Sequence, residues 1–433
     1  MTDRESLLNS EPVRKGRCVL YWMQASQRAT ENPALDAAIA RANSLDLPVL
    51  CVFGLTASYP EANLRHYAFM IEGLAETRAS LARMGITLAV LRAEPDVAAL
   101  SVADQAALIV CDCGYLRHQR RWRARVAKES PCAVLQVESD VVVPVAAAST
   151  KAEWSAATLR PKILKLRDRY LAPAPAPTTP ARAAPILAPR PKRDSLGISV
   201  PGAVSGLDGE LLESLPLDRS IAPAEGTKGG TSRALALLHS FIEEKLPFYA
   251  DERNDPGLDT QSGLSPYLVR RELSMNFVAH TAAYDSFSCL PAWARGTLAA
   301  HARDRRPHQY SARQLEEGRT HDPYWNAAML EMRLTGRLHG SMRMYWGKKI
   351  IEWSPSPAAA FRTALRLNNR YFLDGRDPNS YAGVAWCFGL HDRPWQERPI
   401  FGMVRYMNES GLRRKFDIEG YVRRIESLGK ERS

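Results

Sequence analysis

At 433 residues the chain is too long for one ordinary hydrophobic core, so two domains are expected. No apolar run reaches the roughly 18–20 residues of a membrane span, and the opening MTDRESLLNSEPVRKGR has no apolar signal core, so a cytoplasmic protein without a membrane partner is expected. The seven Cys residues stand singly or as Cys111-Asp-Cys113, which argues against zinc or a disulfide framework, while a net charge of +11 points weakly to nucleic acid.

Residues 17–145 alternate short apolar runs with amphipathic stretches. The runs are Cys18–Met23, Pro48–Phe53, Ile86–Leu91, Ala107–Cys111 and Val134–Val137, with helical patterns at about 33–44, 61–84, 96–104 and 117–128. Strands separated by helices predict a parallel α/β domain over 15–150. No G-x-G-x-x-G follows the first strand, so a dinucleotide fingerprint is lacking. A small ligand at the carboxyl ends of the strands remains compatible with such a domain. Residues 151–230 are read as an interdomain linker, centred on the stiff Pro/Ala-rich stretch APAPAPTTPARAAPILAPRPKR. Helical patterning then runs from Thr231 to Ile425, predicting an all-α domain over 231–433. That half carries 30 Lys+Arg against 23 Asp+Glu, so +7 of the charge sits on a folded unit rather than a tail.

The C-terminal block concentrates Trp, Arg and Asn-rich turns. Trp346 and Trp353 are seven apart, two helical turns, and share one helix face. A core stripe is the bland reading for them and for Trp325; against it, Arg343, Tyr345 and the G-K-K between the indoles keep much of that helix polar. Arg343 and Asp374 read as surface groups when taken alone, and Asn368 in L-N-N-R-Y as a cap or turn residue. The turn Gln261-Ser262-Gly263-Leu264-Ser265 suits a phosphate, since backbone N–H groups and hydroxyls converge in such Gly/Ser turns, but by itself it is a generic loop.

Longer motifs carry more weight. THDPYWNAAMLEMRLTGRLHGSMRMYWGKKIIEW, LNNRYFLDGRDPNSYAGVAWCFGLHDRPW, RPIFGMVRYM and L-S-P-Y-L resemble the flavin-binding region of the photolyase/cryptochrome family, closest to class II cyclobutane pyrimidine dimer photolyases. VLYWMQASQRATENPALDAAIARA, GLTASYPEANLRHYAFMIEGL and KAEWSAATLRPKI extend the likeness to the N-terminus, so that it covers roughly 15–170 and 235–425. The resemblance implies a Rossmann-like parallel α/β domain followed by a helical FAD-binding domain. It also implies light-driven splitting of cyclobutane dimers by an electron from reduced FAD, and an antenna chromophore of unknown identity. The partner would be UV-damaged double-stranded DNA with the dimer flipped out, met by a monomer.

Residue by residue, it makes Trp346, Trp325 and Trp353 an electron-transfer chain with Trp353 near the surface, and Asn368 the amide facing the flavin. Arg343 and Asp374, with Arg376 in D-G-R-D-P-N, resemble the ring's polar clamp; Arg253 and Asp392 resemble a second ion pair. Tyr249 and Gln261–Ser265 resemble the pyrophosphate cradle. Trp386, Met344 and Arg405 resemble the dimer-facing set. The chain departs from the pattern after Leu268, where about thirty residues, with a dimer-binding Glu and a Trp, have no counterpart before V-R-R-E-L; Arg270 is nearest in register and Glu272 lies beyond. An alternative reading is therefore a cryptochrome-like or repair-defective flavoprotein without that Glu.

Overall fold

A computed structural model describes residues 2–171, 189–268 and 272–431; Arg270 and most of the Pro/Ala-rich stretch lie outside them. Six strands form one sheet: β1 (Glu5–Leu7), β2 (Cys18–Trp22), β3 (Val49–Gly54), β4 (Thr87–Leu91), β5 (Ala106–Asp112) and β6 (Val134–Val137). Their order is β1-β6-β5-β2-β3-β4, with β2 to β6 parallel and β1 antiparallel on β6. The five parallel strands fall on the five apolar runs. β1 has no counterpart in the sequence reading, because three residues carry no period.

Strands β2, β3 and β5 are buried along their whole length, so both faces of the sheet need cover. Helices α1 (Pro33–Leu45) and α2 (Leu64–Arg83) pack on the face of Val19, Tyr21, Cys51 and Val110. On the opposite face, α3 (Pro95–Ala103) and α4 (Arg117–Glu129) cover Leu20, Trp22, Val52 and Cys111.

The expectation that 151–230 is all linker is corrected. After α5 (Val145–Ala148), α6 (Ala156–Leu171) is a helix with Pro161 in its interior, and 189–217 folds back on the sheet with α7 (Gly209–Glu213). Ser195 Oγ accepts from the Thr87 amide at 2.8 Å, the Val204 amide donates to the Val90 carbonyl at 2.8 Å, and Leu211 and Leu215 enter the α1/α2 core. These apolar residues are irregularly spaced, so extended chain that adheres to an edge strand leaves no periodic signal.

The remaining elements are helical: α8 (Thr231–Ser240), α9 (Leu246–Glu252), α10 (Glu272–His280), α11 (Ala292–Ala300), α12 (Ala312–Glu317), α13 (Pro323–Thr335), α14 (Gly340–Trp353), α15 (Pro357–Tyr371), α16 (Pro378–Cys387), α17 (Glu409–Lys415) and α18 (Ile418–Lys430). Helices α13, α15 and α16 start alike. Asp322, Ser356 and Asp377 accept the amide three residues on, and proline occupies the first helical turn. Their core holds Trp325, Trp346, Trp353, Tyr345, Phe361, Phe372 and Phe388. At about 25 cal/mol per Å2, burying the roughly 200 Å2 of one indole contributes about 5 kcal/mol before entropy.

The start of α2 ties the domains together. The Arg65 guanidinium donates to the carbonyls of Tyr371 (2.9 Å) and Met332 (3.2 Å), and the Asn63 side-chain Nδ2 to Arg370 O (2.8 Å). His66 Nδ1 accepts from the Asn63 amide, which leaves Nε2 to donate to Phe372 O at 3.1 Å.

Candidate active site

A cavity of about 610 Å3 opens between the domains. One end lies at the carboxyl edge of the sheet, where Met23 follows β2, Thr56 follows β3 and Tyr115 follows β5. That edge is the usual ligand side of an open α/β sheet. Gln24 on this wall is buried, with neither Oε1 nor Nε2 partnered among the described residues. Behind it, Asp112 accepts from the amides of Ser26 (2.8 Å) and Gln24 (3.2 Å), and burial, with Asp140 adding to it, pushes its carboxyl up to about 6.

The other end is formed by Ser265, Asp374, Arg376 and Asp377. Asp374 sits in the turn after α15. It accepts from Arg343 Nη2 at 2.8 Å and from Ser265 Oγ at 2.9 Å. The two charged side chains are 19% and 5% exposed, and the Arg343 guanidinium also lies 3.9 Å over the Phe372 ring. Asn368 is fixed from the same turn: its amide donates to Ser380 Oγ (2.9 Å) and Asn369 Oδ1 (3.2 Å), while Ser380 Oγ donates to the Asp374 carbonyl (2.9 Å). Arg376 takes a left-handed backbone, φ 65°, and reaches 5.8 Å over the Tyr59 ring of the α/β domain. Fold and turn chemistry thus bring Arg343, Ser265, Asn368, Asp374 and Arg376 together from four separate segments.

The rest of the expected cradle is more dispersed. Gly263 has φ 67° and stands against Arg337, where a Cβ would meet Nη1 at 2.8 Å. Gln261 donates to the Arg253 carbonyl at 2.6 Å, the Ser262 hydroxyl accepts from the Leu264 amide at 3.4 Å, and Leu264 is buried. Of this turn, Ser265 alone lines the cavity. Tyr249 packs edge-on against Phe241 at 5.3 Å on α9, a helix with no buried residue.

The expected Arg253–Asp392 pair is corrected, since no such ion pair forms among the described residues. Arg253 lies at the amino end of α14, its carbonyl bonded by His339 Nε2 at 2.9 Å. Asp392 lies beyond α16 and accepts from the Trp395 indole at 3.2 Å. It faces Lys348, nine residues further along α14. About 13 Å of helix rise separates the two levels.

The three Trp residues lie next to one another. Trp325 Nε1 donates to the Trp346 carbonyl at 3.0 Å, and the rings of Trp325 and Trp353 are 5.5 Å apart at 69°. Trp346 reaches the Phe372 ring at 6.4 Å, beside Arg343. Trp353 is not near the surface as expected: like Trp346 it is 1% exposed, capped by Tyr310 and His321 at 5.4 Å each. Those caps come from the segment before α13, which a helix-face argument does not foresee.

On the outer side, Trp386 is 48% exposed at the end of α16, and the next residue, Cys387, puts Sγ 3.9 Å from Sδ of half-buried Met344. Arg405 stacks 4.4 Å over Trp395, which is 38% exposed and also faces Arg393 at 5.5 Å. Trp395 was not singled out from the sequence, though H-D-R-P-W stood in the motif. An exposed Trp flanked by Arg suits bases and phosphates.

A parallel α/β domain clamped to a helical domain, with a cavity between them, is a fold shared with solved photolyases and cryptochromes. A photolyase from Sulfolobus tokodaii with two FAD molecules superposes with TM-score 0.70 over 94% of this chain and 89% of its own, at 15% identity. A Synechocystis cryptochrome gives 0.67 over 94% and 88%, at 16%. The DNA photolyase family model matches residues 19–180. The deoxyribodipyrimidine photo-lyase of Methanothermobacter thermautotrophicus is 46% identical over 98% of both chains, and that of Potorous tridactylus 36% over 95% of this chain and 82% of its own. The chain belongs to the DNA photolyase family.

Proposed function

We propose that this chain is a class II deoxyribodipyrimidine photo-lyase that splits cyclobutane pyrimidine dimers in UV-damaged DNA with FAD and light. The observation that carries the reading is the Asp374–Ser265 pair at the cavity wall, with Arg343 and Asn368 behind it and Trp346 one helical turn from Arg343. The photo-lyase relatives at 46% and 36% identity support the activity.

The residues present fit FAD. Arg343 Nε and Trp346 Nε1 are buried donors with no protein acceptor among the described residues, and the cavity lies within the roughly 300–1,000 Å3 of small-molecule sites. Ser265, Arg343, Asp374 and Arg376 would hold the group, and the family resemblance assigns Tyr249 and the Gln261–Leu264 turn to its pyrophosphate. When bound and reduced, it supplies the light-excited electron that the dimer accepts and returns. The protein's part is electrostatic and geometric. The Arg343 cation, oriented by Asp374, favours an anionic ring, and Asn368 is held immobile by Ser380. Trp346, Trp325 and Trp353 offer oxidisable rings for refilling the site with electrons, Trp325 and Trp353 in ring contact and Trp325 bonded to the Trp346 carbonyl. Trp386, Met344 and Arg405 receive the flipped dimer. Taking a damaged pair out of the stack costs a few kcal/mol, and a well-placed cation and indole can offset that. The unpartnered Gln24 at the sheet edge supports a second, antenna ligand of a class the sequence leaves open. The enzyme works as a monomer in this reading, and no described helix is long and apolar enough to cross a membrane.

We also read the segment after Leu268 as shortened. The M. thermautotrophicus alignment spans 451 positions, whereas 98% of 433 residues is about 424, so about 27 positions find no residue here. That neither α8 nor α9 holds a buried residue supports this reading.

One observation favours a second reading, a flavoprotein that does not repair. No acidic residue lies between Asp259 and Glu272, and the Glu272 carboxylate is occupied by the amides of Val142 (2.7 Å) and Val143 (3.1 Å). Illuminating the purified, FAD-loaded and reduced protein with a dimer-bearing oligonucleotide separates the two. Restored thymines establish repair; bound flavin without dimer loss selects the second reading.

A further inference from the structure

Residues 395–405 form a tight hairpin: Arg398 and Gly402 exchange backbone bonds at 3.0 and 2.8 Å, and the Trp395 amide donates to Met403 O at 2.8 Å. Its tip strains the backbone, with β-branched Ile400 at φ 70°. This hairpin carries the Trp395–Arg405 stack, and Arg398 lies 4.0 Å over the Tyr406 ring.

Three contacts hold it to the end of α11. The Met403 amide donates to Thr297 Oγ1 at 2.9 Å, and the Ile400 amide to Asp304 Oδ2 at 2.7 Å. His301, just past α11, contacts Asp304 Oδ2 through Nδ1 at 2.6 Å and Glu397 Oε1 through Nε2 at 2.9 Å. Gly402 presses on this residue so closely that a Cβ there would lie 2.0 Å from Thr297 Oγ1 and 2.9 Å from His301 Cδ2.

Neutral imidazole has one N–H to donate, whereas both ring nitrogens here face carboxylates. The arrangement is satisfied only by the imidazolium, which the carbonyl end of α11 also favours. We infer that His301 is a positioning residue: as an imidazolium bridging Asp304 and Glu397, it clamps the 395–405 hairpin to α11 and so holds Trp395 and Arg405 in place for damaged DNA. The inference rests on the repair reading above.

The groups facing His301 are Asp304 from its own turn and Glu397 from the hairpin; the Arg306 guanidinium lies behind Asp304, bonded to the Ala302 and Asp304 carbonyls. Hydrogen bonds to Glu397 and Asp304 raise the His301 pKa above the ordinary histidine value. With a raised folded-state pKa, the clamp is complete below the ordinary histidine range and is lost as pH rises through the raised value. Above it, one donor serves two carboxylates that repel each other.

Hydrogen exchange of the 395–405 segment, measured on the full chain at pH 6 and pH 9 and corrected for intrinsic rates, tests this. The expected result is protection of the Ile400 and Met403 amides that falls about tenfold or more at high pH in the wild type. In His301→Gln and Glu397→Gln it is low at both, with global folding unchanged by circular dichroism. Affinity for a duplex carrying one thymine dimer should fall in step in the wild type and stay flat in Glu397→Gln. Equal wild-type protection at the two pH values, or a Glu397→Gln variant that keeps the wild-type pH dependence, overturns the clamp. Falling protection with unchanged dimer affinity overturns the positioning role. Light-driven repair on the same samples separates the premises: repair that is absent at every pH overturns the repair reading instead.

Discussion

Replacing Asp374 by Asn removes one charge and almost no volume, so its effect reports the electrostatic pair. In the wild type the carboxylate accepts from Arg343 Nη2 at 2.8 Å and from Ser265 Oγ at 2.9 Å, and its side chain is 5% exposed. Breaking a fully buried pair by removing one partner costs roughly 3–5 kcal/mol. Arg343 retains about a fifth of its exposure and keeps its contact with Phe372, worth about 1–2 kcal/mol when desolvated. We therefore expect D374N to lose about 2–3 kcal/mol of FAD affinity, which at 1.4 kcal/mol per decade is roughly 30- to 150-fold. The assay is titration of apoprotein with FAD by fluorescence quenching, with thermal unfolding as a companion. A variant that binds FAD within about threefold of wild type would refute the clamp, because Arg343 would then be held by something else.

The relay, the DNA face and a buried cation give three further expectations. Trp325→Phe should slow light-driven flavin reduction by tenfold or more while repair by chemically reduced enzyme is unchanged; loss of both together would make Trp325 a packing residue only. Arg405→Ala should weaken binding of a dimer-bearing duplex by about 1–3 kcal/mol, the range for one specific contact to nucleic acid, with the melting temperature unmoved because the side chain is exposed. Lys348 is fully buried and donates to the Cys387 carbonyl, and burial lowers its ammonium pKa to about 8. Its unfolded value is near 10.5, so the unfolded chain binds the extra proton between those values and wild-type stability rises with pH there. Lys348→Met should lack that rise, so the melting temperature of the wild type minus that of the variant should increase from pH 7 to pH 10. A constant difference would show that Lys348 titrates normally.

Much of the fold was legible. Runs such as Val-Leu-Cys-Val-Phe in β3 are buried on both sides, and only a parallel sheet covered by helices gives such runs a home. The starts of α13, α15 and α16 went unmarked in the sequence reading although their cause is local, since Asp322-Pro323, Ser356-Pro357 and Asp377-Pro378 pair a side-chain acceptor with a residue that needs no N–H partner. Residues 189–217 were not readable, because their bonds to β4 pair single positions about 110 apart. The candidate site shows the same division. Arg343, Asp374 and Asn368 stand in motifs that mark them as candidates, but Ser380, which holds Asn368, and Trp395, which stacks on Arg405, have no local pattern that marks them.

What the chain determines by itself is therefore local: which segments are strand or helix, where helices begin, and which residue types stand at motif spacing, all governed by neighbours within about one or two turns. Tertiary structure decided the rest. The segment before α13 covered Trp353 with Tyr310 and His321, and the level of each residue along α14 kept Arg253 from Asp392. Glu272 was committed to the backbone of 142–143, and His301 was set between carboxylates from two segments. Each depends on how far one element lies along another when both are packed, a distance fixed by the whole core and written in no single stretch of sequence.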